Sequence, residues 1–182
     1  MSGKFMNKSI FILDTNIFLQ GVSFNLFKGK LYTTPSIIEE IKVKRYHHKN
    51  RNILNRIHAA IEGKKLIVQI PSQESLQHVE KISKHTGDMK ALSRADKELI
   101  ALAFDLSKLH GKEKIILLSN DYSMENVSQE LAIPYSPLGK RGITKKIKWE
   151  VYCPFCKKVY DAEHLEEPCE FCGEKLKRRM KK

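Results

Sequence analysis

Short apolar runs alternate with longer amphipathic stretches through the first 138 residues of the chain. Runs with the length and apolar content of buried strands lie at residues 9–13, 31–34, 65–70, 114–119 and 133–137, and the last is short enough for an edge strand. Between these runs, apolar residues recur near the helical period. Helices are therefore predicted to begin near Thr15, at Pro35, near Asn52, after Pro71, near Leu92 and near Met124.

Strands that alternate with helices favour βαβ units and a sheet held between helical layers. The predicted fold class is therefore α/β, with a three-layer α/β/α domain and a mostly parallel sheet over residues 1–138. The alternation stops near Pro137. A basic linker is predicted at residues 139–149, and a small cysteine-containing module with a basic tail at residues 150–182.

All four cysteines lie in the last 30 residues, in the two pairs CPFC and CEFC. Two disulfides are one interpretation, but two-residue spacers suit a metal site better. Four thiolates in two close pairs fit tetrahedral Zn²⁺, and a site filled by four protein ligands is structural rather than catalytic. Gly173 permits a tight turn after the second pair. The predicted zinc ligands are Cys153, Cys156, Cys169 and Cys172.

The chain carries a net charge of +12 and has a pI of about 9.5. Proteins this basic favour polyanions, so a nucleic acid is the predicted partner. No apolar run approaches the roughly 18 residues of a membrane-spanning helix, and residues 1–9 lack the apolar segment of a signal peptide. The prediction is a soluble cytoplasmic protein without a membrane partner. The basic residues predicted to bind this nucleic acid are Lys42, Lys44, Arg45, Lys140, Arg141, Lys145, Lys146, Lys148, Lys177, Arg178 and Arg179.

Carboxylates follow the predicted strands at similar positions. Asp14 comes directly after the first strand in KSIFILDTN, and Asp121 repeats that placement after IILLSN. Glu40 lies one or two turns into the helix after the second strand, and Asp96 lies in the first turn of a later helix. The carboxyl ends of parallel strands share one edge of a sheet, where ligands bind. These four acids could therefore meet in one cleft.

Each acid also has an interpretation that involves no site. Asp14 and Asp121 can cap the helices that follow them. Asp96 can form a capping box with Ser93, and Glu40 can lie on a solvated helix face. These interpretations stay open for each residue taken alone.

Taken together, the acids favour a metal site. Four carboxylates in one cleft repel one another unless cations neutralise them. Oxygen ligands suit Mg²⁺ or Mn²⁺. The predicted chemistry is metal-assisted hydrolysis of a phosphodiester bond, in which the metal generates the nucleophile and stabilises charge on the phosphate.

Four segments resemble, in order, the acidic motifs of PIN-domain ribonucleases: FILDTN, TPSIIEEI, LSRAD and LLSNDYSMENV. The CPFC and CEFCG pairs that follow resemble a zinc ribbon. This order is similar to the Nob-one family of endonucleases, which matures the 3′ end of small-subunit ribosomal RNA, and the resemblance covers nearly the whole chain. It implies a PIN-like nuclease domain over residues 1–138, a divalent metal and a pre-ribosomal substrate.

The resemblance also implies which residues form the site. The family's catalytic, metal-binding acids fall on Asp14, Glu40, Asp96 and Asp121. Glu40 is assigned by matching IIEEI, so Glu39 stays an alternative. Asn16 and Ser119 match supporting polar positions.

Two other functions compete with this one. Toxin-type PIN ribonucleases, which act on other RNAs, resemble the first domain, but the ribbon and the basic linker count against them. A non-catalytic RNA-binding assembly factor is the second alternative, and the presence of all four acids counts against it. The chain lacks the long insertions of eukaryotic relatives and resembles the compact archaeal form.

Overall fold

The computed structural model describes residues 10–42, 47–138 and 149–180. Its first part holds five strands: β1 (Ile10–Leu13), β2 (Lys30–Thr33), β3 (Leu66–Val68), β4 (Ile115–Leu118) and β5 (Tyr135–Ser136). The helices between them are α1 (Thr15–Leu19), α2 (Pro35–Lys42), α3 (His47–Glu62), α4 (Gln73–Thr86), α5 (Arg94–His110) and α6 (Tyr122–Glu130). The predicted alternation of strands and helices is confirmed.

The five strands form one sheet in the order β3-β2-β1-β4-β5, and every pair in it is parallel. The chain builds outward from β1 through β2 and β3, then returns to place β4 on the other side of β1. In the register of β1 and β4, Leu13 lies beside Leu118, so the two strands end level. The strand order reverses between them, which is where open α/β sheets bind ligands.

Helices form a layer on each face of this sheet. Helices α1, α2 and α3 pack against one another, and α4, α5 and α6 form the second group. The strands are buried on both faces, as parallel strands between helices must be: all four residues of β1 and of β4 are buried. The three-layer α/β/α prediction is confirmed.

Two helices begin earlier than the sequence predicts. Helix α3 begins at His47, ahead of the predicted start near Asn52. Helix α2 is described as far as Lys42, and residues 43–46 lie outside the described part of the chain. Helix α6 begins at Tyr122, earlier than the expected Met124, because Asp121 already caps it: the carboxylate accepts the Ser123 amide.

The last part of the chain is a small antiparallel sheet, here called the ribbon (residues 149–180). Its strands are β6 (Trp149–Tyr152), β7 (Val159–Tyr160) and β8 (Lys177–Met180), in the order β7-β6-β8. Its buried apolar core consists of Val151, Cys153, Cys169 and Leu176. So small a core cannot stabilise an independent module without a cross-link or a metal.

The ribbon packs closely against the end of α4. Gly87 ends this helix with a φ of +81°. A Cβ at Gly87 would lie 2.5 Å from the backbone oxygen of Trp149, so glycine is needed for the backbone conformation and also for this contact. None of the helices in the described residues is both long enough and apolar enough to cross a membrane.

Candidate active site

The ends of β1 and β4 are joined by a cluster of polar side chains around Asp14. The Asp14 side chain is 3% exposed, and its Oδ1 accepts the Thr15 amide at 2.6 Å, which caps α1. Its Oδ2 accepts the Ser119 hydroxyl at 2.5 Å and a hydrogen bond from the Asn16 side-chain amide. Ser119 Oγ in turn accepts the Asp121 amide at 3.1 Å. The carboxylate is thus fixed from both strands.

Glu40 on α2 reaches the same edge of the sheet. Its Oε2 accepts the Thr15 hydroxyl at 2.6 Å, and its Oε1 lies 3.5 Å from the Ser93 hydroxyl at the start of α5. Glu39 instead forms an ion pair with Lys42 at 2.7 Å, and its side chain is 67% exposed. Of the two neighbouring glutamates, Glu40 is the one in contact with the Asp14 cluster.

Asp96 and Asp121 both make the helix caps that the sequence allows. Asp96 forms a capping box with Ser93: its amide donates to the serine hydroxyl at 3.1 Å, and its Oδ2 accepts the serine amide at 2.8 Å. Asp121 Oδ1 accepts the Ser123 amide at 2.7 Å. In each residue the cap uses one carboxylate oxygen, so the same side chain can cap its helix and also bind a metal.

Nearby acids act electrostatically on the two carboxylates at the strand ends. The pKa of Asp14 is raised to about 7, mainly by burial and in part by the charges of Asp96 and Glu40, while hydrogen bonds from Ser119 and Thr15 act in the opposite direction. Burial also raises the pKa of Asp121, and Asp96 again contributes. Asp96 therefore influences both strand-end carboxylates. Such mutual repulsion is relieved when a cation binds among the acids.

The raised pKa of Asp14 gives a prediction for stability. The pKa is about 7 in the folded protein against an ordinary 3.8, so the folded state holds this proton more tightly. Without added Mg²⁺ or Mn²⁺, stability should fall by up to about 1.4 kcal/mol per unit as the pH rises from about 4 to 7. Asp14→Asn should lack this dependence of stability on pH. Mn²⁺ at pH 8 should restore the stability of the parent protein.

Thermal unfolding of both proteins from pH 5 to 8 measures this difference. Contributions from titrating groups that do not interact with Asp14 cancel when the two curves are subtracted. We expect the parent to lose several degrees in Tm relative to Asp14→Asn over this range. If the Tm of the two proteins changed equally with pH, the result would contradict a raised pKa for the buried Asp14 carboxylate.

The donor set around Asp14 fits a hard divalent cation. Asn16 Oδ1 is buried and has no hydrogen-bond partner within the described part of the chain, although the amide nitrogen of the same group binds Asp14. The acids surround the strand ends without closing into a tight cage: among the described residues, only the cysteines bring three or more ligand atoms of His, Cys, Asp or Glu within 4.8 Å. An open oxygen site suits Mg²⁺, which keeps several waters.

The four cysteines converge on one point of the ribbon. Their sulfur atoms all lie within 4.8 Å of one another, with Cys153 and Cys172 at 3.4 Å and Cys156 and Cys169 at 3.6 Å. Zn–S bonds of about 2.3 Å in a tetrahedron give sulfur separations close to these. The donor set and its spacing therefore fit zinc.

Both cysteine pairs sit in matching turns. In the first turn the Lys157 amide donates to the Cys153 carbonyl at 3.0 Å, and in the second the Gly173 amide donates to Cys169 at 2.9 Å. Lys157 has φ of 65° and Gly173 has φ of 73°. The tight turn predicted at Gly173 is confirmed, and Lys157 adopts the same left-handed conformation with a side chain.

The basic residues predicted to bind RNA are in different surroundings. Lys177 is exposed on β8, and Arg179 donates to Glu150 at 2.8 Å and stacks on Tyr152. Lys42 pairs with Glu39. Arg178 points toward the first domain, where it contacts Asp88. The remaining residues of this prediction lie outside the described residues: Lys44, Arg45, Lys140, Arg141, Lys145, Lys146 and Lys148.

The structure adds site residues that sequence reasoning missed. Thr15 links Asp14 to Glu40, since its amide binds the first and its hydroxyl the second. The Tyr135 hydroxyl donates to the backbone oxygens of Ser119 and Asp121, at 2.7 and 3.0 Å. Thr15 was visible as the middle residue of DTN. No sequence pattern marked Tyr135 as a site residue, because its contacts depend on β5 lying beside the end of β4.

Comparisons with known proteins match both parts of the chain. Residues 11–106 match the PIN domain of ribonuclease, and this span includes Asp14, Glu40 and Asp96. Endoribonuclease Nob1 of Methanocaldococcus jannaschii is 32% identical over 94% of this chain and 78% of that protein. Endoribonuclease Nob1 of Pyrococcus abyssi is 33% identical over 91% of each chain. Ribonuclease VapC1 of Thermoplasma acidophilum is 30% identical over 95% of this chain and 79% of its own length.

Proposed function

Since the chain belongs to the PIN-domain ribonucleases and, among them, to the Nob1 endoribonucleases, we propose that it cleaves precursor ribosomal RNA in the cytoplasm and so matures the 3′ end of the small-subunit rRNA. The observation that carries the proposal is the acid cluster in which Asp14 and Asp121 follow β1 and β4, the charge of Glu40 on α2 acts on Asp14, and the charge of Asp96 on α5 acts on both strand-end acids. A basic protein has no evident use for such a cluster except to hold cations beside a polyanion.

The proposed metal ligands and catalytic residues are Asp14, Glu40, Asp96 and Asp121. Mg²⁺ or Mn²⁺ bound there would supply a water of lowered pKa and neutralise charge on the scissile phosphate. Asn16 and Ser119 hold the Asp14 carboxylate in place, and Thr15 fixes it relative to Glu40. Because these side chains are locked by hydrogen bonds before substrate arrives, little reorganisation is needed during the reaction.

Zinc has a separate, structural role in this proposal. Cys153, Cys156, Cys169 and Cys172 would fill its four positions and leave none for a reacting water. The ribbon exposes Lys177 and Arg179 on β8, and we propose that both contact RNA phosphates, with Arg179 exchanging its bond to Glu150 for one to a phosphate. Phosphate contacts of this kind orient the substrate and do not read its sequence.

The likeness to Ribonuclease VapC1 supports a second candidate, a PIN ribonuclease that acts on other RNAs. That relative matches 95% of this chain, so the ribbon does not separate the two candidates. The difference between them is the substrate. A third possibility, a non-catalytic assembly factor, would leave the carboxylate cluster without a role.

Cleavage of a small-subunit rRNA precursor tests the proposal. The precursor spans the mature 3′ end and is compared, with Mn²⁺ or Mg²⁺, with an RNA of equal length whose junction is scrambled. We expect one cut at the mature end of the first RNA and no defined product from the second. Equal cleavage of both would favour the second candidate, and no cleavage of either would favour the assembly factor.

A further inference from the structure

We propose that Arg178, on ribbon strand β8, is a positioning residue that holds Asp121 in the nuclease site from the neighbouring domain. The inference rests on the proposed function, because it gives Asp121 a role in binding the catalytic metal. It assigns the ribbon a part in building the site, in addition to any contact that it makes with RNA.

Arg178 is held on several sides by groups outside its own strand. Its Nη1 lies 3.3 Å from Asp88 Oδ1 and 3.3 Å from the Ser123 hydroxyl. Its guanidinium carbon lies 4.6 Å from the centre of the Trp149 ring, where a cation is attracted to the π face. Trp149 is itself fixed against Gly87 at the end of α4. The arginine therefore lies where ribbon, α4 and α6 meet.

The Asp88 partner is an unusual carboxylate for a surface contact. It is fully buried, and its Oδ2 accepts the Asn126 side-chain amide of α6 at 2.6 Å. Burial raises the pKa of Asp88, and Arg178 acts in the opposite direction. A buried carboxylate is costly without a partner, so Arg178 stabilises a group that is already tied to α6.

From Arg178 the contacts lead to the nuclease site in two steps. The Ser123 hydroxyl lies against Arg178, and the Ser123 amide donates to Asp121 Oδ1 at 2.7 Å. The arginine thus fixes the first turn of α6, which orients the Asp121 carboxylate. Its positive charge also counteracts the rise in the pKa of Asp121. A shift of about 1 Å in a group that orients a reaction can cost roughly 10²-fold in rate.

The alternation of β8 separates this role from RNA binding. Successive side chains of a strand point to opposite faces. Lys177 and Arg179 are exposed, whereas Arg178 is half-buried against the first domain. Arg178 and Arg179 are adjacent arginines on one strand with different surroundings, so they form a matched pair for an experiment.

The experiment compares Arg178→Ala with Arg179→Ala in the full-length, zinc-loaded protein. For Arg178→Ala we expect a lower kcat at saturating RNA and a Mn²⁺ concentration for half-maximal rate about tenfold higher, with an unchanged Kd for RNA. For Arg179→Ala we expect weaker RNA binding and the Mn²⁺ dependence of the parent. An effect of Arg178→Ala confined to RNA affinity would overturn the proposal.

Two measurements without RNA separate this proposal from the nuclease function. Mn²⁺ binding followed by electron paramagnetic resonance should be weaker in Arg178→Ala than in the parent, and the amide of Ser123 should exchange its hydrogen faster. If the parent cleaves no RNA, the proposed function fails while these measurements still test Arg178. Parental Mn²⁺ affinity together with parental amide exchange would refute the positioning role.

Arg178→Lys keeps the experiment decisive if the alanine variant does not fold. A lysine retains the charge beside Asp88 but lacks the planar guanidinium that stacks on Trp149, so its ammonium is held less firmly between Asp88 and Ser123. Mn²⁺ affinity between those of the parent and the alanine variant is expected. Parental Mn²⁺ affinity and parental exchange at Ser123 in a folded Arg178→Lys protein would contradict the part assigned to the Ser123 contact.

Discussion

Asp14→Asn is expected to lower the rate of RNA cleavage by about 10²- to 10³-fold while the protein stays folded and still binds RNA. Asparagine has nearly the shape of aspartate and can still cap α1 through its side-chain oxygen. It lacks the negative charge that holds a divalent cation beside the scissile phosphate. The basic side chains proposed to contact the RNA backbone are unchanged, and the removal of one anion near the phosphates should strengthen binding slightly.

Asp105→Asn provides a control for the loss of a carboxylate. Asp105 lies on α5, as Asp96 does, but it accepts hydrogen bonds from Ser72 and Ser75 at the start of α4. Its replacement should lower the Tm and leave the Mn²⁺ dependence of cleavage unchanged. The measurements are the cleavage rate with Mn²⁺, an RNA-binding curve and a melting curve. A folded Asp14→Asn protein that cleaves at the parental rate would reduce Asp14 to a helix cap.

The edge of the sheet that carries the candidate site could be predicted from the sequence. Asp14 and Asp121 directly follow apolar runs, and alternation with helices indicates parallel strands, whose carboxyl ends share an edge. The structure places Ser119 between the two acids, where its hydroxyl donates to the Asp14 carboxylate and accepts the Asp121 amide. Local patterns were sufficient here because each acid is positioned by the strand or helix beside it in the chain.

Contacts between distant segments could not be predicted in the same way. Arg178 stands in the basic run KLKRRMKK, where composition suggests only RNA binding. Its contact with Asp88 spans 90 residues of sequence. It depends on how the ribbon packs against α4, which no periodicity encodes. Asp88 itself, in the loop-like segment TGDMKA, gives no sign that it will be fully buried.

Cys169→Ser is expected to remove zinc from the protein and unfold the ribbon, while the first domain keeps its fold. The parent should contain one Zn²⁺ per chain, bound by four thiolates. Cys169 is buried in the ribbon core, and its sulfur lies 3.0 Å from the Tyr160 hydroxyl, so the substitution removes a ligand from the interior of the ribbon. Elemental analysis, thiol titration and limited proteolysis measure the loss of metal and of structure.

Phe171→Ala is the matched control, because this side chain lies in the same turn and is 69% exposed. It should keep the zinc content and the protease resistance of the parent. A parent without zinc, or a Cys169→Ser protein with parental zinc content and an intact ribbon, would contradict the prediction.

The expected selectivity of this unfolding follows from the sizes of the two cores. The sheet and helices of the first domain bury a large apolar cluster that extends from Ile10 to Ile133, and none of it comes from the ribbon. The ribbon core contains only Val151 and Leu176 beside two of the cysteines. Metal binding is therefore expected to supply most of the free energy that folds the ribbon.

Strand β8 belongs to the ribbon sheet, so zinc loss should also release Arg178 from Asp88. Cys169→Ser should then show the same weaker Mn²⁺ binding as Arg178→Ala, and full Mn²⁺ affinity in the zinc-free protein would show that the two sites are independent.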